Sequence, residues 1–147
     1  MSSEAPIVPL CSSLEAFEVF SQHVEKGLSD FAGQPIEIDY GNYTHVMKDE
    51  SRLQRAPWIA STVFEPDEVW LVQPRDMRKR WRGIQRQVYL KWLKASEEDE
   101  EELFAVAVER MSFGGLRLRT WHRVEDPHQY IGTLRRQGGE KIWPEKS

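Results

Sequence analysis

The chain has 147 residues, a net charge of −4, and six Trp, four Tyr and six Phe, enough apolar surface for one hydrophobic core. No stretch approaches the ~20 consecutive apolar residues of a membrane span, and the opening Met1-Ser2-Ser3-Glu4 lacks the basic and apolar regions of a signal peptide. A lone Cys11 supports neither an internal disulfide nor a metal cluster, so a reducing, cytoplasmic location is expected, with no membrane association, no cofactor and no metal.

The net charge hides an asymmetry. Residues 1–50 hold nine acids and two bases, whereas residues 51–147 hold fifteen acids and eighteen bases, six of those acids in the run Glu97–Glu102. Partners respond to the local field rather than to the total, so the second part permits a surface that faces RNA.

Residues 1–11, small, polar and proline-containing, are expected to form a flexible tail, followed by a single α+β domain over 12–147. Ser12 and Glu15 have the spacing of a capping box, and Leu14, Phe17, Phe20, Val24, Leu28 and Phe31 recur at helical intervals up to Gly33. An accessory helix is therefore predicted over 12–33. Pro35–Tyr40 alternates as a short strand, and Gly41-Asn42 marks a turn. Residues 45–63 read as mostly helical with an interruption near Pro57, and a short element containing Val69 and Trp70 begins at Pro66. Pro74–Gly83 is a strongly basic connection. Strands follow at Val88–Leu93 and Leu103–Val108, joined by the acidic run as a solvated hairpin loop. The second of these is apolar on both faces, as a covered central strand requires.

After the Gly114-Gly115 turn, Leu116–Val124 alternates. Strict alternation places Leu116, Leu118, Thr120 and His122 on one face, and Arg117, Arg119, Trp121 and Arg123 on the other. Asp126-Pro127 opens a last helix through about Arg136, before a terminal strand around Ile142-Trp143. Helices first and an antiparallel meander afterwards argue for an α+β fold.

The sequence contains no glycine-rich phosphate loop, nucleophile elbow, paired-cysteine zinc site or His-Glu-x-x-His helix. Chemistry must then come from His, Thr, Tyr, Lys and Arg. A histidine side chain can move protons at physiological pH, which singles out His45, and Lys48 and Arg52 follow it at helical spacings, able to surround an anion; the plain alternative is a surface or capping histidine. Thr120 and His122 set a hydroxyl and an imidazole ~7 Å apart along one strand, beside Arg119, unless this is only an amphipathic edge. Tyr130, Arg135 and Arg136 form a third cluster, in which Arg can clamp a phosphate bidentately and Tyr130 has a core role as its alternative. The basic segment Arg75, Arg78, Lys79, Arg80, Arg82 and Arg86, interleaved with Trp81, combines charge with a stacking surface, or else is a solvated loop.

From His45 to Trp143 the chain resembles the phage-associated barnase–EndoU–colicin–RelE-like nuclease domains. The likeness lies in the order of Thr44-His45 opening a basic helix, the proline-containing stretch Ile59–Trp70, a Tyr-containing strand at Val88–Leu93 and an apolar strand at Phe104–Val108. A Thr-bearing strand at Leu116–His122 follows, and then Tyr130 and Arg135. The stretch Pro66–Trp70 and the strands after it are the most specific part. The resemblance implies helices packed on a twisted, mainly antiparallel sheet of about four strands, with the nuclease-like region at 45–143. It also implies metal-independent RNA cleavage, as in a toxin or a phage-encoded effector, with an immunity or inhibitor protein as a further partner.

By the same resemblance His45 matches the helix-borne base, Thr120 the strand hydroxyl and Arg135 the late basic residue, with His122 or Tyr130 protonating the leaving oxygen. Lys48, Arg52, Arg80, Trp81 and Arg119 are the expected substrate-binding residues. The acidic total and the helix over 12–33 depart from the family pattern. The competing reading is a non-enzymatic immunity or adaptor module that docks through the acidic helix residues Glu15, Glu18, Glu25 and Asp30. Convergence of His45, Thr120 and Arg135 on one concave site separates the two.

Overall fold

Helix α1 (Ser13–Lys26) begins where its capping box dictates. Ser12 Oγ accepts from the Glu15 N–H and the Glu15 carboxylate accepts from the Ser12 N–H, both at 3.1 Å. In this computed structural model, which describes residues 4–144, the helix stops at Gly27, whose φ of +84° a side chain rarely adopts. The helix expected to reach Gly33 is therefore shorter, and Leu28 and Phe31 only mimic its spacing. Leu28 belongs to the two-residue strand β1 (Leu28–Ser29), and Phe31 packs on Tyr89 and Trp143 with ring centroids 6.3 and 5.0 Å apart.

Strand β2 (Pro35–Glu37) pairs with β1, and three short helices follow: α2 (Tyr40–Val46), α3 (Glu50–Gln54) and α4 (Ala56–Phe64). Asp39 and Asp49 cap the first two. Asn42, expected in a turn, instead returns the capping bond of Asp39, so His45 closes α2 rather than opening a helix. Pro57 sits in the first turn of α4, where it costs no hydrogen bond. The remaining elements are β3 (Glu68–Val72), α5 (Met77–Trp81), β4 (Gln85–Leu93), β5 (Glu102–Arg110), β6 (Leu116–Val124), α6 (Pro127–Arg136) and β7 (Glu140–Trp143). The basic connection thus contains a one-turn helix.

The sheet is mixed and seven-stranded, in the order β1-β2-β6-β5-β4-β3-β7, against the expected four or so. The four strands β3–β6 form the antiparallel meander, and strands of only two to four residues extend it at both edges. One of these, β2, runs parallel to β6 through Ile36 and Glu37 opposite Leu116 and Arg117. Helices α1–α4 cover one face, packing Phe20, Trp58, Ile59 and Val63 on Tyr89, Phe104, Val106, Val108, Leu118 and Trp121. The other face carries a smaller core of Trp70, Val88, Leu90, Leu103, Ala105 and Ala107 beneath Leu134 of α6. Each large apolar side chain so buried stabilises the fold by roughly 1.5–3 kcal/mol.

Four further expectations change. The segment up to residue 11 is not a free tail. Val8 N donates to the Lys94 carbonyl at 2.9 Å, Lys94 N donates to the Pro6 carbonyl at 3.1 Å, and the Trp58 indole donates to the Val8 carbonyl at 2.7 Å. These bonds use backbone atoms, which no side-chain pattern betrays; residues 1–3 of that expected tail lie outside the described residues. The acidic run is a hairpin loop only to Glu101, because Glu102 enters β5 and holds the buried Arg55 at 2.9 Å. Asp30 is not on a docking face. It is buried beyond the end of α1, accepting from the Tyr89 hydroxyl at 2.7 Å and from the Ala32 and Gln34 N–H groups at 2.9 Å.

The fourth correction concerns the faces of β6. Val108 pairs with Leu118 and Ala107 with Thr120, so Arg119 is an extra residue in a β-bulge. The alternation resets there. Trp121, opposite Val106, joins Leu116 and Leu118 in the helix-covered core, while Thr120 and His122, opposite Ala107 and Ala105, turn to the face shared with α6.

Candidate functional site

Strand β2 leaves β6 after Arg117, so from Leu118 onward β6 is an edge that the short helices close. Asn42 Nδ2 donates to the Leu118 carbonyl at 2.9 Å and the Trp121 indole donates to the Arg52 carbonyl at 2.8 Å. These bonds clamp α2 and α3 along the strand edge, from where His45 and Arg52 reach a cleft on the α6 side of the sheet. The segment before α5 and α5 itself form the opposite wall. The cleft, about 420 Å³, is lined by His45, Arg52, Pro74, Arg75, Asp76, Lys79, Arg86, Glu109, Arg119 and Thr120. A second hollow of about 560 Å³ shares Arg75 and Arg86 with it and continues past His122, Arg123, Glu125, Asp126, Gln129, Tyr130 and Thr133. Together they make one groove, with Arg86 at the junction.

Along this groove six cations, Arg52, Arg75, Lys79, Arg86, Arg119 and Arg123, outnumber four carboxylates, Asp76, Glu109, Glu125 and Asp126. Glu109 offsets two of them, pairing with Lys79 at 2.8 Å and with Arg119 at 3.2 Å, and Asp49 holds Arg52 at 3.2 Å. Arg75 and Arg86 have no carboxylate within ion-pair distance among the described residues. The Nε of Arg86 and the hydroxyl of Thr120 are both shielded from solvent without a hydrogen-bond partner. Buried polar groups are nearly always satisfied within a fold; these two belong to residues of the cleft, whereas the other three, Ser21 Oγ, Arg55 Nε and Thr62 Oγ1, lie away from it.

The histidine on β6 is tuned. Burial holds the His122 imidazole below its ordinary pKa; the hydrogen bond to the Arg123 carbonyl opposes it, the nearby charges of Arg52 and Arg86 add smaller depressions, and Asp49 pulls slightly upward. At pH 7 the ring is therefore neutral. Its Nδ1 lies 3.2 Å from the Arg123 carbonyl oxygen, so Nδ1 carries the proton and donates it, leaving the Nε2 lone pair free. Tyr130 packs on His122 with ring centroids 5.7 Å apart. Burial pushes its phenol up, partly countered by Arg86, so the hydroxyl keeps its proton at neutral pH.

Of the residues singled out in the sequence, His45, Arg52, Arg119 and Thr120 line the first cleft, and His122 and Tyr130 line its continuation. Arg135 does not join them. Its guanidinium lies over the Trp70 ring, 5.8 Å from the centroid, on the apolar side of α6. Lys48, Arg80 and Trp81 also lie off the groove, with Arg80 held by the Pro74 carbonyl. Conversely, Arg86, Arg75, Lys79 and Glu109 belong to it. The three cations stood out only as members of a basic run, and the alternation of β4 was the one signal that distinguished Arg86, by placing it on the face of Val88 and Leu90. A separate hollow at the far end of β4 and β5 is lined by Glu4, Asp67, Lys91 and Glu101; its carboxylates repel a polyanion.

Among the described residues no group of three or more His, Cys, Asp or Glu is arranged to hold a metal ion, and no helix is long and apolar enough to cross a membrane. What fold and groove define is a domain with a cationic cleft flanked by two imidazoles, those of His45 and His122. A sequence model of the family described as phage-Barnase-EndoU-ColicinE5/D-RelE like nuclease2 matches residues 12–144. The chain belongs to that family, and is a nuclease-like domain of phage type. The match begins at residue 12 rather than at His45, so it takes in α1. No curated protein and no solved structure matches the chain.

Proposed function

We propose that this domain cleaves RNA without a metal, by attack of a ribose 2′-hydroxyl on the adjacent phosphorus. The observation that carries the reading is the cleft in which Arg75 and Arg86, neither paired with a carboxylate among the described residues, stand with His45 and Thr120. A phosphodiester supplies the negative charge that these two cations lack. Arg86 and Arg75 then meet the charge that grows on the phosphoryl oxygens, in a partly dehydrated setting where such stabilisation is strongest.

The tuning of His122 fits a general base. Its free Nε2 takes the proton of the 2′-hydroxyl, the 2′-oxygen bonds to phosphorus, and the bond from phosphorus to the 5′-oxygen breaks. His45, on the other wall, gives the departing 5′-oxygen its proton. The products are a 2′,3′-cyclic phosphate and a 5′-hydroxyl. Tyr130, a neutral donor beside Arg86, orients the phosphate, and Arg52, Lys79 and Arg119 attract the strand. This reverses the order of roles that the resemblance alone suggests, because a histidine depressed by burial is a better acceptor than donor at pH 7. A toxin or phage-encoded effector acting in the cytoplasm, restrained by an immunity or inhibitor protein, is the setting such an activity fits.

The test is incubation with total cellular RNA in chelator, using wild type, His122→Ala and His45→Ala, followed by end-group analysis of any fragments. Cyclic phosphate ends that disappear in both variants support the scheme. Equal cleavage of DNA, which has no 2′-hydroxyl, or activity that the chelator abolishes, overturns it.

A further inference from the structure

Outside the groove, the most unusual surface is the ridge formed by α5 and the β5–β6 turn. Trp81, the last residue of α5, is 78% exposed and Phe113, in the β5–β6 turn, 83% exposed, large apolar areas to leave in water. The segment after α5 and the turn touch. A Cβ on Gly83 would lie 3.0 Å from the Ser112 Cβ, which is why the close approach takes a glycine, at φ +75°. Residues 75–82 carry five bases and one acid. Among the described residues no carboxylate lies within ion-pair distance of Arg75, Arg78, Arg80 or Arg82. In a chain of net charge −4, unpaired cations gathered beside two exposed aromatic rings need an account. The ridge also adjoins the groove, because Arg75, Asp76 and Lys79 of the same segment form its wall.

We propose that this ridge is a stacking platform for single-stranded nucleic acid flanking the bond to be cleaved. The inference rests on the nuclease reading of the groove and extends it to the substrate class, a single-stranded segment longer than two nucleotides. Unpaired bases present faces on which Trp81 and Phe113 stack, and the arginines neutralise the backbone between them; this combination is how single strands are held without regard to sequence. A base-paired duplex hides its base faces and gains only the charge contribution. Arg75 and Lys79 hand the strand from platform to cleft.

The experiment separates the platform from catalysis. A fluorescein-labelled 12-nucleotide RNA with 2′-O-methyl riboses, which cannot undergo 2′-hydroxyl attack, is titrated by anisotropy against wild type, Trp81→Ala/Phe113→Ala and Trp81→Phe/Phe113→Tyr. Both positions are exposed, so thermal melting should show all three proteins equally folded. The alanine pair should weaken binding by at least about fivefold per lost stack, the aromatic pair should restore it, and duplex RNA of the same length should respond to neither change. Unchanged affinity in the alanine pair, or a loss that the aromatic pair does not rescue, overturns the platform. In parallel, a dinucleotide substrate, too short to span ridge and cleft, should be cleaved by the alanine pair within about twofold of wild type. Absence of dinucleotide cleavage by wild type counts against the nuclease reading, while the binding comparison still decides the platform.

Discussion

Arg86→Met removes the charge at the junction of the two hollows while keeping an unbranched apolar stem over the Val88 side of the sheet. Cleavage should fall about 10²–10³-fold, the loss typical when one preorganised charge-stabilising donor is deleted, or about 2.7–4 kcal/mol of transition-state stabilisation. Stability should barely follow. A shielded donor without a partner costs about 1–3 kcal/mol, and Arg86 Nε is such a donor. Removing it offsets the lost proximity to Tyr130, for a net change within about 1 kcal/mol and a Tm within about 4 °C of wild type. His122 provides an independent readout. The Arg86 charge is one of the influences that hold its imidazole down, so its NMR titration midpoint should rise in the variant. Cleavage, melting and titration are measured on the same preparation. Full activity in the variant, or a stability loss beyond about 3 kcal/mol that accounts for any lost cleavage, would refute the assignment of Arg86 to the phosphate.

Three other perturbations test the frame around the groove. Tyr89→Phe strips the buried Asp30 carboxylate of its 2.7 Å donor, and should cost about 1.5–3 kcal/mol in urea denaturation; a change below about 0.5 kcal/mol would mean that this bond does not hold the fold together. Glu102→Ala leaves the buried Arg55 without its counter-ion, and a loss near 3 kcal/mol is expected, readable as a Tm drop of about 6–12 °C. Burial holds both His23 and His122 below their ordinary value. The unfolded chain therefore takes up protons first as pH falls. Stability from this source is complete above about pH 6.5 and is lost as pH drops through the folded values. Denaturation at pH 7.5 and pH 5 should show wild type losing more than His23→Gln/His122→Gln, and parallel slopes would contradict it.

The sequence carries the long elements plainly, because each has enough residues to establish a period. The capping box of α1, the continuous apolar run of β5 and the Asp126-Pro127 start of α6 all need only local chemistry. Strand β1 has two residues and no period to read, yet with β2 it decides how far β6 is covered. The site depends on that coverage. His45 and Thr120 are 75 positions apart, and they line one cleft because the pairing of β2 with β6 ends at Arg117 and lets α2 and α3 clamp the exposed edge.

The bulge at Arg119 was legible in one respect. Strict alternation would have driven Thr120 and His122 into the helix-covered core and put Trp121 outside, so the apolar spacing of two and then three residues, Leu118 to Trp121, already signals an extra residue. Once the strand resets, Trp121 is buried with its indole satisfied, and the same step turns a hydroxyl and an imidazole toward the cations. Some buried polar groups find partners within the fold, as the Trp58 indole, the Asn42 amide and the Asp30 carboxylate do. Five buried side-chain polar atoms among the described residues have none: Ser21 Oγ, Arg55 Nε and Thr62 Oγ1 away from the groove, and Arg86 Nε and Thr120 Oγ1 on residues of the cationic cleft. No sequence pattern reveals an unmet bond, since it exists only after distant segments have closed around it. That is why Arg86, hidden in a basic run, outranks Arg135, which the order of motifs favoured and the Trp70 ring holds away from the groove.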